Sequence, residues 1–168
     1  MKVIRIWLVA VLLLLLPTLS HAQQANFTGR WVIDEQLSLS MDPVFAIQGI
    51  SWAVRQAAKS FDTEANITQS ADRITVTFDN FRGTHNQVLI FDGQPHQTVN
   101  PAGLATTFST RWDGEALVAS GPVDVDGQAA TLTERRSLSP RGDVMTVEVQ
   151  LVLADGQTAR TRRVYRKQ

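Results

Sequence analysis

The last nine residues, Arg160 to Gln168, carry five basic side chains, with Val164 and Tyr165 threaded among them. Written as a strand, the stretch splits by parity: Arg160, Arg162, Val164 and Arg166 on one side, Ala159, Thr161, Arg163 and Tyr165 on the other. If the first side meets water, the second carries a guanidinium and a phenol inward. An uncompensated guanidinium away from water costs on the order of several kcal/mol, so Arg163 requires an internal carboxylate, ordered water or an anionic ligand. The stretch 128–138 poses the same problem. Ala130, Leu132 and Leu138 mark its apolar side, and Glu134 and Arg136 share their parity. One β-bulge would turn Arg135 inward in place of Arg136. Such groups suit recognition of an anion, or proton transfer if Glu134, Tyr165 and Arg163 act as an acid/base set.

Other chemistry is sparse. No Ser-His-Asp arrangement, glycine-rich phosphate loop or paired acidic motif stands out, and no catalytic residue, cofactor or metal is expected. His85 and His96 are read as solvated loop residues rather than metal ligands. Arg141-Gly142-Asp143, after Ser139-Pro140, is read as a turn.

The elements that position these groups are strands. Asp-Gly pairs at Asp92-Gly93, Asp113-Gly114, Asp126-Gly127 and Asp155-Gly156 mark tight hairpin turns. Between them apolar residues alternate with polar ones, as in Ile74, Val76 and Phe78, or Met145, Val147, Val149, Leu151 and Leu153. Strands are expected near 27–34, 65–70, 73–79, 86–91, 95–99, 104–112, 115–121, 128–138, 143–153 and 157–166. A meander this long curls and closes, which removes its exposed edges. The expected fold is all-β: one antiparallel up-and-down β-barrel of eight to ten strands, with Trp31 buried at its closed end. The exception to the alternation is 42–59. There Asp42 is a candidate N-cap, Pro43 takes the first helical position, and Val44, Ile47, Ile50, Val54 and Ala57 recur at spacings of three or four. An amphipathic helix, kinked at Gly49, is expected between the first and second strands, as a plug in the barrel end or a lid over its interior.

The chain opens with Lys2 and Arg5, an apolar run from Ile6 to Leu16, Pro17 and the small-residue pattern Ser20-His21-Ala22. This reads as a secretory signal over 1–22, too short to span a bilayer, with a single domain at 23–168. Removing 1–22 takes away Lys2 and Arg5 and leaves 146 residues with 14 Lys/Arg against 16 Asp/Glu, a net charge of about −2. That balance argues against nucleic acid as a partner. With no cysteine, an exported chain draws its stability from its core, and no lipobox cysteine is expected to hold the mature chain to a membrane. A periplasmic or secreted monomer is expected.

Phe27-Thr28-Gly29-Arg30-Trp31 is similar to the Phe-x-Gly-x-Trp opening of the intracellular fatty-acid-binding proteins of the calycin superfamily. Gln48-Gly49-Ile50-Ser51-Trp52-Ala53-Val54-Arg55-Gln56 resembles their helical-lid segment, and Arg163-Val164-Tyr165 resembles the Arg-x-Tyr of their last strand. The pieces occur in order along essentially the whole mature chain, with a helix after strand one. The resemblance implies a ten-stranded, lipocalin-like barrel with a helical cap, in which Arg163 and Tyr165 hold a fatty acid carboxylate and Trp52 belongs to the lid over it. At the position implied for the family's second binding arginine, counting from Asp126-Gly127, stands Glu134, with Arg136 or Arg135 as substitutes; Glu134 would also be able to pair with Arg163. The leader is a second departure, since the family's intracellular members lack one, and points to an exported bacterial-type relative. The expected function is lipid binding, with a fatty acid or similar amphiphile inside the barrel. Two alternatives stand beside it: an interaction or inhibitor barrel with a filled interior that binds protein through its loops, and a calycin-fold isomerase or lyase.

Overall fold

The computed structural model describes residues 24–47, 51–58, 64–80, 83–100 and 105–168. The expected leader and the expected kink at Gly49 lie outside them. In chain order the elements are β1 (Gly29–Ile33), α1 (Asp42–Ile47), α2 (Trp52–Ala58), β2 (Glu64–Gln69), β3 (Arg73–Asn80), β4 (Gly83–Ile90), β5 (Pro95–Val99), β6 (Ala105–Asp113), β7 (Ala116–Val125), β8 (Gln128–Leu138), β9 (Val144–Leu153) and β10 (Thr158–Lys167).

All ten strands belong to one antiparallel sheet in the order β4-β3-β2-β1-β10-β9-β8-β7-β6-β5. β1 and β2 are joined through α1 and α2, and β1 also pairs with β10, joining the two ends of the barrel segment. Strands consecutive in sequence are neighbours in the sheet except β4 and β5, which are the ends of the order. There the backbone N–H of Val88 donates to Thr98 Oγ1 at 3.0 Å, so a side chain bridges the seam of a nearly closed barrel. At the β7–β8 turn both Asp126 and Gly127 have positive φ, 51° and 82°. That is the mirror-image turn whose twist matches a right-twisted hairpin, and Asp-Gly is a pair that adopts it readily.

Alternation puts the core inside. Met145, Val147, Val149, Leu151 and Leu153 of β9 are buried while Glu148 between them is exposed. At one end Phe27 and Trp31 are fully buried. Trp31 Nε1 donates to the Phe27 carbonyl at 2.8 Å, which satisfies the indole donor that burial would otherwise strand. Trp112 stacks on Phe27 at 6.1 Å and meets Phe91 edge-on at 5.3 Å, extending this aromatic floor. Fully burying side chains of this size contributes about 1.5–3 kcal/mol each.

Several local expectations are corrected. Instead of one helix over 42–59 there are two short ones, α1 and α2. The capping side chain is Ser40, whose Oγ accepts from the Asp42 N–H at 3.0 Å, while the Asp42 carboxylate accepts from Arg55 Nε at 2.9 Å and ties α2 to α1. β7 runs to Val125 rather than stopping near 121, because its ladder to β6 ends at Ser120 and Pro122 lies beyond it, where a missing N–H breaks no bond to β6. His85 and His96 sit on β4 and β5, both half-buried: the His85 ring lies 6.0 Å from Phe78, and His96 Nε2 is 2.9 Å from Asp92. Val164, on the side of β10 assigned to water, is buried. After β1 the chain continues along β10, with Asp34 N–H donating to the Val164 carbonyl and Leu39 N–H to that of Arg162, at 2.8 and 2.7 Å.

Candidate ligand-binding site

The inward side of β10 runs Ala159, Thr161, Arg163, Tyr165, and the first two are buried. Arg163 and Tyr165, half-buried, line a cavity together with Glu134 and Arg136 from β8 and Gln87 from β4. The rest of the wall is largely apolar: Ile67, Val76, Phe78, Met145, Val147 and Val149, with Met41 from the segment before α1. The cavity offers about 80 Å³ to a water-sized molecule. That is room for a few waters, whereas sites for drug-sized ligands run to roughly 300–1,000 Å³. A long-chain ligand therefore requires side chains or the helical cap to yield.

Register explains why these residues meet. Val147 of β9 pairs with Arg163 on one side and Arg136 on the other, so the two arginines start from one row of the wall, their backbones two strands or about 10 Å apart. Glu134, two residues before Arg136, projects to the same side. Arg135 points outward and pairs with Asp113, so no bulge exchanges it for Arg136. Arg160, Arg162 and Arg166 are exposed, and Arg166 Nε donates to Asp34 Oδ2 at 2.7 Å. This bond holds the Asp34 carboxyl below its ordinary pKa.

Glu134 and Arg136 are buried to within 2% and 6% of full exclusion, and Glu134 Oε2 lies 2.7 Å from Arg136 Nη2. The contact brings the charges together, but the aligned hydrogen bond from Nη2 goes to Gln87 Oε1, at 2.9 Å. Among the described residues Arg136 Nη1 and Gln87 Nε2 have no hydrogen-bond partner, and Glu134 Oε2 has no aligned one beyond its ion-pair contact. The carboxylate considered for Arg163 is thus ion-paired to Arg136, on its own strand. Trp52, placed in the lid by the sequence, lies in the first turn of α2, 67% exposed, and is not among the described cavity-lining residues. Gln87 escaped the sequence reading. Its parity with Leu89 was the available signal: both are buried on the inner side of β4.

Among solved structures, the zebrafish ileal bile acid-binding protein complexed with cholic acid superposes with a TM-score of 0.63 at 21% identity, over 84% of this chain and 98% of that one. A Schistosoma mansoni fatty acid binding protein in complex with arachidonic acid gives 0.64 at 22%, over 84% and 96%. This is the fold of the fatty-acid-binding proteins. Apo lipid binding protein 8 of Caenorhabditis elegans shares it too, at 0.62 and 12% identity, over 84% and 95%. No family model matches the chain, and no curated protein matches its sequence. In all three the likeness covers nearly the whole of the other chain.

Proposed function

We propose that the protein is an exported, monomeric carrier, not an enzyme, whose barrel takes a fatty acid or similar amphiphile, with the carboxylate held by Arg163 and Tyr165. The observation that carries this reading is the pair of guanidiniums, Arg136 and Arg163, turned with a phenol and an amide into one cavity that Glu64 and Glu134 also line and whose remaining wall is apolar. Glu134 lies 2.7 Å from Arg136, and an incoming carboxylate would meet the guanidinium of Arg163 beside the Tyr165 phenol. The ligands named for the structural neighbours, cholic and arachidonic acids, are amphiphilic acids of this class. Burying about 14 methylenes contributes roughly 11 kcal/mol at about 0.8 per CH₂. Association opposes this by about 4–15 kcal/mol, so methylene burial alone leaves at most about 7 kcal/mol, a dissociation constant of about 10 μM. Each charge-assisted bond adds about 1.5–3 kcal/mol and fixes orientation. The apolar run Ile6 to Leu16 followed by Ser20-His21-Ala22 supports export to the periplasm or beyond.

A second reading, a filled barrel that binds protein through its loops, draws support from the 80 Å³ interior and from the exposed Leu37, Leu39 and Trp52. Native mass spectrometry of the delipidated protein re-exposed to hexadecanoic acid separates the two. A retained one-to-one adduct supports the carrier. A protein that emerges bare at micromolar ligand supports the filled barrel.

A further inference from the structure

The inner wall holds a second polar station beyond Arg163 and Tyr165. Glu134, Arg136 and Gln87 all line the cavity. Glu134 is 2% exposed, Arg136 5% and Gln87 0%. Each keeps a buried polar atom without an aligned hydrogen bond among the described residues: Gln87 Nε2, Arg136 Nη1 and Glu134 Oε2, the last held at 2.7 Å from Arg136 Nη2 as an ion pair. Buried polar groups are nearly always satisfied, so a cluster of three asks for an occupant.

The inventory defines that occupant. Gln87 Nε2 and Arg136 Nη1 are donors awaiting an acceptor, while the carboxylate oxygen of Glu134 accepts only and awaits a donor. A ligand carboxylate here would offer acceptors alone and meet the charge of Glu134. A methylene chain would leave all three atoms unsatisfied. A hydroxyl both donates and accepts, giving its hydrogen to Glu134 Oε2 while receiving one from Gln87 Nε2 or Arg136 Nη1. Resting on the carrier reading above, we infer that the preferred ligand is a hydroxylated amphiphilic acid, its carboxylate at Arg163 and Tyr165 and its hydroxyl at Glu134. The backbone of Arg136 stands two strands, about 10 Å, from that of Arg163, and Glu134 is one step further along β8. The hydroxyl therefore lies mid-chain rather than beside the carboxylate.

The test is calorimetric titration of the full barrel with hexadecanoic acid and with its monohydroxylated positional isomers. A mid-chain hydroxy acid is expected to bind about 10- to 100-fold more tightly than hexadecanoic acid, the factor one hydrogen bond to a charged group supplies. In Glu134→Gln the ratio of the two affinities shrinks severalfold. Equal affinity across the isomers in the unaltered protein means that ordered water alone fills the station, and overturns this inference while the carrier reading stands. If no acid of the series binds, both fail. The isomer series on the unaltered protein decides the matter even if Glu134→Gln does not fold.

Discussion

The Glu134–Arg136 pair makes a sharp demand on stability. Its members are 2% and 6% exposed and 2.7 Å apart, so removing one strands the other's charge in the barrel wall. Breaking a buried pair in this way costs about 3–5 kcal/mol. Gln87 Oε1 still accepts from Arg136 at 2.9 Å when Glu134 is gone, which places Glu134→Leu at the lower end, about 3 kcal/mol. Against a typical domain stability of about 5–15 kcal/mol that loss is large. The double variant Glu134→Leu with Arg136→Met removes both charges and costs less than either change alone. Recovery stops about 1–2 kcal/mol short of the starting protein, because Gln87 then loses its donor. Urea unfolding followed by tryptophan fluorescence and far-UV circular dichroism measures the cycle. Additive single effects, with a coupling under about 0.5 kcal/mol, would refute the claim that the two charges compensate each other.

Three further outcomes follow from the geometry. Gly121→Ala would set a methyl group against the Thr107 carbonyl oxygen and 2.6 Å from Phe108 Cδ1, so a loss of at least about 1–3 kcal/mol is expected in thermal unfolding, and an unchanged midpoint would contradict this β6–β7 packing. Asp34, its carboxyl depressed by the hydrogen bond from Arg166, contributes stability that is present above the ordinary aspartate range and lost as the pH falls through its lowered folded value. Asp34→Asn therefore weakens the fold at neutral pH but matches the original protein in strongly acidic urea titrations; a difference that persists in acid would refute the link. Arg55→Ala frees α2 from Asp42, with little change in stability, about 0–1 kcal/mol, but faster release of a bound amphiphile in stopped flow if the cap gates the cavity.

Much of this architecture was legible in the sequence because β-structure writes itself locally. Asp126-Gly127 fixes a hairpin by its own backbone preference, and the parity of Met145 to Leu153 names the buried side without knowledge of any partner strand. The same parity turned Arg163, Tyr165, Glu134 and Arg136 inward. What parity does not carry is which inward groups touch. Glu134 meets Arg136 two residues away, and Gln87 completes the set from β4, separated from Arg136 by 49 positions, a contact created only by closure of the barrel. Val164 was misjudged for a related reason: an irregular segment, Asp34 to Leu39, covers β10 where the pattern of β10 alone leaves it exposed. The cap resisted reading because its helices are short, and Ser40 competes with Asp42 for the capping role.

The central claim, that Arg163 receives a carboxylate inside the barrel, is tested most directly by titrating hexadecanoic acid and its methyl ester into the original protein and into Arg163→Ala. The account predicts that the substitution weakens the acid about 10- to 100-fold, equivalent to a lost bond of about 1.5–3 kcal/mol, and leaves the ester within about twofold. Equal losses for acid and ester, or an acid affinity that Arg163→Ala leaves unchanged, would contradict it.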